Sequence, residues 1–117
     1  MKVDLSYLQE MSGGNQDLVL EMIDIFKIQV EEFTNEMEGY LNGKDYKSLG
    51  QLAHKAKSSI SIMGLNDLSD VLKSLENLAK EGKQTKKYPE LIDRFKLGTK
   101  EAIKELDEVL QNLELYF

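Results

Sequence analysis

The stretch Val19 to Leu41, VLEMIDIFKIQVEEFTNEMEGYL, decides the fold. Its apolar residues Val19, Met22, Ile23, Phe26, Val30, Phe33, Met37 and Leu41 recur at steps of three and four, which is one stripe along an α-helix. The period-two alternation of a half-buried strand occurs neither here nor elsewhere in the chain, and no segment repeats another. Asn15 stands before the stripe as an N-cap, and Asn42-Gly43 closes it.

The same punctuation continues in both directions. A short first helix runs from about Leu5 to Met11, with Asp4 as its cap and Gly13-Gly14 at its end. A third helix extends from about Asp45 to Met63 and stops at Gly64. Asn66 caps a fourth, about Asp67 to Lys80, with Leu68, Val71, Leu72, Leu75 and Leu78 inside and a stop near Gly82. After a polar loop from Lys83 to Tyr88, the single proline, Pro89, sits in the first turn of a fifth helix. Four long amphipathic helices joined by short loops must pack as antiparallel neighbours. The expectation is one all-α domain over residues 1–117: an up-down-up-down antiparallel four-helix bundle with a short additional N-terminal helix.

Composition narrows the chemistry. A chain of 117 residues, 41% hydrophobic, can bury a core without staples, and it has no cysteine for disulfide, thiolate or zinc-thiolate sites. No run approaches the roughly 18 apolar residues of a membrane span. The opening MKVDLSYLQE is too polar for a signal peptide, so a cytoplasmic protein without membrane contact is expected. A net charge of −6 repels phosphate backbones and argues against nucleic acid as a partner. The balance is uneven, however: from residue 44 to 57, Lys44, Lys47, Lys55 and Lys57 accompany His54 against one acid, Asp45. A local positive patch on an acidic protein suits an anionic partner.

His54 is the only histidine. At about 100° per residue, Leu49, Leu52, Ala53, Ala56, Ile60 and Met63 form the core face of the third helix, and His54 falls roughly 150° from its centre. It therefore points outward. Its neighbours at helical spacing are Gly50, Lys47, Lys57, Ser58 and Ser61, three of them small, so the imidazole stands proud of a flattened surface. Two nearby ammonium groups, of Lys47 and Lys57, are expected to keep the ring in its free-base, nucleophilic form and then to stabilise phosphoryl oxygens. A di-iron site needs Glu-x-x-His on two helices, and a haem needs an inward-facing histidine, so no metal or cofactor is expected. No nucleophile-base pair lies within helical reach, which disfavours a conventional enzyme.

The run His54-Lys55-Ala56-Lys57-Ser58-Ser59-Ile60-Ser61-Ile62-Met63-Gly64 resembles the core motif of histidine-containing phosphotransfer domains. His54 takes the phospho-accepting position, Lys57 the lysine three residues later, Ser59 the serine and Gly64 the closing glycine. The resemblance implies a phosphocarrier with no kinase activity of its own. His54 would accept a phosphoryl group from a receiver domain's aspartyl phosphate and pass it to a response-regulator aspartate, with a sensor or hybrid histidine kinase upstream. Mg²⁺ would belong to the receiver. Lys57 is expected to steady the phosphoryl group, while Lys47, Gly50, Lys55, Ser58, Ser61 and Ile28 are expected to meet the partner, this chain acting as a monomer. Leu5, Leu8, Leu18, Ile25 and Ile62 either join that docking patch or pack beneath the first helix. The chain departs from the family at Ser58, where glycine is usual, which leaves open an adaptor or dimerisation module that binds receivers without phosphotransfer.

Overall fold

The computed structural model describes residues 2–117. Its four long helices are α2 (Gln16–Asn42), α3 (Tyr46–Ile62), α4 (Asn66–Glu81) and α5 (Tyr88–Gln111), preceded by the short α1 (Ser6–Ser12) and followed by one more turn, α6 (Leu113–Tyr116). They form the expected bundle, 46 Å long and about 20 Å across. The apolar stripe of α2 is the one the sequence marked: Val19, Ile23, Phe26, Val30, Phe33 and Met37 are all buried. Leu5 and Leu8 are buried as well, so these two leucines pack inside and do not belong to any docking patch. Each leucine so buried contributes about 1.5–3 kcal/mol.

Helix starts follow the sequence except at α1 and α4, where the expected caps are not in the capping position. The side chains of Asn15 and Asp45 accept from the main-chain N–H groups of Leu18 and Ser48, capping α2 and α3. Asp4 is not the N-cap of α1: Leu5 holds that position without a side-chain cap, and Asp4, one residue earlier, accepts from both the main-chain N–H and the hydroxyl of Ser6. Asn66 does not cap α4. It is the first helical residue, and Leu65 precedes it without a side-chain cap. The expected loop from Lys83 to Tyr88 is also more ordered than its polarity suggested. Thr85–Lys87 form a 3-10 turn, and Tyr88 opens α5 fully buried. Its hydroxyl reaches the carbonyl oxygens of Leu78 (2.7 Å) and Lys83 (2.6 Å), and its ring meets Tyr46 edge-on at 5.2 Å. An aromatic body with one polar tip thus pins the loop to the core.

Two glycines set the position of α3. Gly64 ends it in the left-handed region (φ 71°), and a Cβ there would fall 2.3 Å from that of Asp4, whose N–H donates to the Met63 carbonyl. Gly50 faces α4, where a Cβ would lie 3.2 Å from Lys80 Cγ and 3.3 Å from the Glu76 carbonyl oxygen. The α3 and α4 backbones therefore approach closely one turn before His54. A helix-interior glycine costs about 1 kcal/mol relative to alanine, and here that cost secures the approach.

Candidate functional site

His54 projects from α3 with its side chain 66% exposed, as the helical wheel required. What the wheel did not supply is the partner on the next helix. Nδ1 lies 2.8 Å from Oε2 of Glu76, whose side chain is only 7% exposed. The Lys57 ammonium sits 2.7 Å from Oε1 of the same carboxylate, and that of Lys80 sits 2.7 Å from Oε2. One buried acid therefore gathers the imidazole and two ammonium groups from two helices.

The electrostatics fix the ring. Burial by itself pushes the Glu76 carboxyl up, but hydrogen bonds from Lys57, Lys80 and His54 overcome this and bring it to about 2. Glu76 is thus ionised at neutral pH and can only accept. Nδ1 must carry the hydrogen, which leaves the Nε2 lone pair on the exposed side of the ring. The arrangement presents one defined nucleophilic nitrogen to an incoming electrophile, with cationic groups beside it. This adds to the sequence reading in two respects. His54 does have a positioned acidic partner, and the ammonium groups around it are not bare: Lys57 and Lys80 are both tied to Glu76.

The remaining expected residues divide into three groups. Lys47, Lys55 and Ser58 are exposed, as is Ser61, whose hydroxyl lies 3.0 Å from that of Ser69 on α4. Gly50 is a correction. It is buried under α4 and offers no surface to a partner; its small size serves the α3–α4 contact. Ile28 is 51% exposed but lies outside the groove that forms between α2 and α3. That groove, about 180 Å³, is lined by Met22, Ile25, Gln29, Ser59 and Ile62, with Phe26 and Met63 beneath. Ser59 thus faces α2, away from Glu76.

Glu76 and Lys80 are the side chains gathered at His54 that the sequence reading missed. A signal existed. Glu76 falls four residues after Leu72 and directly after Leu75, inside the buried stripe of α4, where a carboxylate must find partners.

Residues 21–115 match the family model of the Hpt domain. The chain belongs to the Hpt domain family. Its function accordingly lies in histidine phosphotransfer within two-component signalling. The fold is similar to the crystal structure of histidine-containing phosphotransfer protein B (HptB) from Pseudomonas aeruginosa PAO1. The TM-score is 0.86 at 23% identity over 95% of this chain and 96% of that one. No curated protein matches the sequence. No helix among the described residues is long and apolar enough to cross a membrane.

Proposed function

We propose that this Hpt domain is a phosphorelay intermediate in which Nε2 of His54 takes a phosphoryl group from a receiver's aspartyl phosphate and delivers it to the aspartate of a response regulator. The observation that carries the reading is the contact between Nδ1 and the ionised Glu76, which leaves Nε2 free and exposed. In the forward step the Nε2 lone pair forms the N–P bond as the aspartyl O–P bond breaks, and the released carboxylate stays on the receiver. The ring keeps its Nδ1 hydrogen and becomes cationic, with Glu76 as its counter-ion. In the onward step the N–P electron pair returns to Nε2 as the acceptor aspartate takes the phosphorus. No proton has to enter or leave the ring in either direction, so the same geometry serves both.

Lys57 steadies the phosphoryl oxygens, and Lys80 is placed to share that task, since its ammonium bonds the same carboxylate oxygen as His54. The phosphate enters and leaves on the receiver, whose own acidic pocket holds the Mg²⁺. The groove walled by Ile25 and Ile62 supplies apolar contact for docking, with the exposed Lys55 and Ser58 on the same helix as the histidine. The domain would work in the cytoplasm as a monomer, between a hybrid sensor kinase and its response regulators.

The test is phosphoryl transfer from a phosphorylated receiver with Mg²⁺, comparing the parent with His54→Gln. An acid-labile, alkali-stable label on the parent and none on the variant is the expected result. Receiver binding without any label on the parent would overturn the relay reading in favour of an adaptor.

A further inference from the structure

The lysines concentrate at one end of the bundle. The α2–α3 connection brings Lys44 and Lys47, and the stretch from α4 into α5 brings Lys80, Lys83, Lys86 and Lys87. Tyr88 holds these two segments together, its ring against Tyr46 and its hydroxyl on the Lys83 carbonyl. Residues 43–47 and 80–90 hold these six lysines against Asp45, Glu81 and Glu90, a net +3. The chain totals −6, so everything else carries −9. Among the described residues, Lys44, Lys47, Lys86 and Lys87 pair with no carboxylate, and all four are exposed. Lys44 and Gln84 both hold positive φ, 55° and 51°, conformations that glycine or asparagine adopts more cheaply. The end is also continuous with the site. Lys47 lies two turns before His54 on the same face of α3, and Lys80 shares a Glu76 oxygen with the imidazole.

We infer that this basic end is an electrostatic docking face for an acidic protein surface, namely the carboxylate-bearing rim beside the receiver's phospho-aspartate. The inference rests on the relay reading for the identity of the partner. A polyanion such as DNA, extending beyond the basic end, would run into the −9 carried by the rest of the molecule. A receiver seated over His54 has the adjoining Lys47 and Lys80 beside it. Rim charges of this kind act on encounter, raising association rates tenfold or more at low salt, while the apolar groove on the other side of His54 slows departure.

The experiment compares two double variants of equal net charge: Lys86→Glu/Lys87→Glu in the basic end, and Lys100→Glu/Lys104→Glu on α5 away from it. Binding to a panel of purified receiver domains from the source organism is measured across ionic strength, with a 20-base-pair DNA duplex as the competing probe. The basic-end variant should lose about fivefold or more in receiver affinity at low salt, and the control less than about twofold. The gap should close near 1 M salt, where the screening length is about 3 Å. Equal losses in the two variants, no loss in either, no receiver binding by the parent, or DNA as the sole ligand would each overturn the inference. If the parent binds receivers with this lysine dependence but takes no phosphate from them, the relay reading falls and the docking face stands.

Discussion

The two flanks of α3 meet their neighbours by opposite physics. Toward α4 the contact is tight and ionic, with backbones close at Gly50 and the Glu76 carboxylate binding Lys57, Lys80 and His54. Toward α2 it is open and apolar, a groove walled by Ile25 and Ile62 with Ser59 facing across. On the proposed reading, the same helix carries its chemistry on the close-packed flank and its adhesion on the open one. A nucleophile needs one tautomer and one orientation, which a buried ion can impose. Apolar area that water vacates slows departure, and the buried ion cluster around Glu76 offers none of it.

The largest effect should come from removing the charge that organises the α4 flank. Glu76 has a carboxyl lowered from 4.5 to about 2, so its folded form binds protons less readily than its unfolded form. Its contribution is present above pH 4.5 and disappears as pH falls through about 2. The shift is worth about 3 kcal/mol. Urea midpoints measured from pH 7 to pH 2 should show the parent more stable than Glu76→Gln by about that amount at neutral pH. The gap should close on acidification, because the glutamine has no proton to gain. A gap that stays constant to pH 2 would mean the variant's cost is packing rather than charge.

The same substitution tests the site's chemistry. Transfer from a phosphorylated receiver to Glu76→Gln should slow about ten- to a hundredfold, the range seen when the group orienting a histidine ligand is removed. Nitrogen chemical shifts of the His54 ring supply a readout that a purely structural role would leave alone. The parent should show the Nδ1–H tautomer, and the variant a mixture of both. Slow transfer with an unchanged tautomer would transfer the role from ring orientation to the two lysines.

On the α2 flank the expected effect is smaller. Ile62→Asp, on the groove wall, should weaken receiver binding about tenfold and leave the melting temperature nearly unaltered, since the side chain is half-exposed. If Ile28→Asp on the outer face of α2 does as much damage, the partner extends around that helix and the groove is not the centre of its footprint.

How much of this was legible in the sequence follows from the range of each signal. Stripes such as Val19 to Leu41 carry the bundle, and the outward turn of His54 is fixed by its own helix, so both could be read from local spacing. Glu76 stands 22 residues from His54, and a wheel drawn for α3 cannot say which residue of α4 comes opposite. Gly50 shows the same limit. Its small size was plain, but whether the space served a partner or a neighbouring helix depended on where α4 passes. Tyr88, grouped with a polar loop, proved to be its anchor because buried hydroxyls find carbonyls that sequence does not mark. Local periodicity gave faces, and only the tertiary packing gave partners.

The smallest expected effect concerns Ser58, which stands exposed one turn after His54 where the family usually has glycine. Ser58→Gly removes no buried contact, so its cost is helix propensity alone, about 0.5 kcal/mol, visible as a slight fall in the urea midpoint. The side chain is exposed one turn from the imidazole, on the surface a partner must reach if the relay reading holds. Widening that approach should therefore lower the KM for a phosphorylated receiver by no more than about threefold and leave the maximal rate where it was. A change in maximal rate instead would place the serine hydroxyl among the groups that touch the phosphoryl oxygens. The ionic flank of α3 would then be joined in the chemistry by an exposed residue one turn after the histidine.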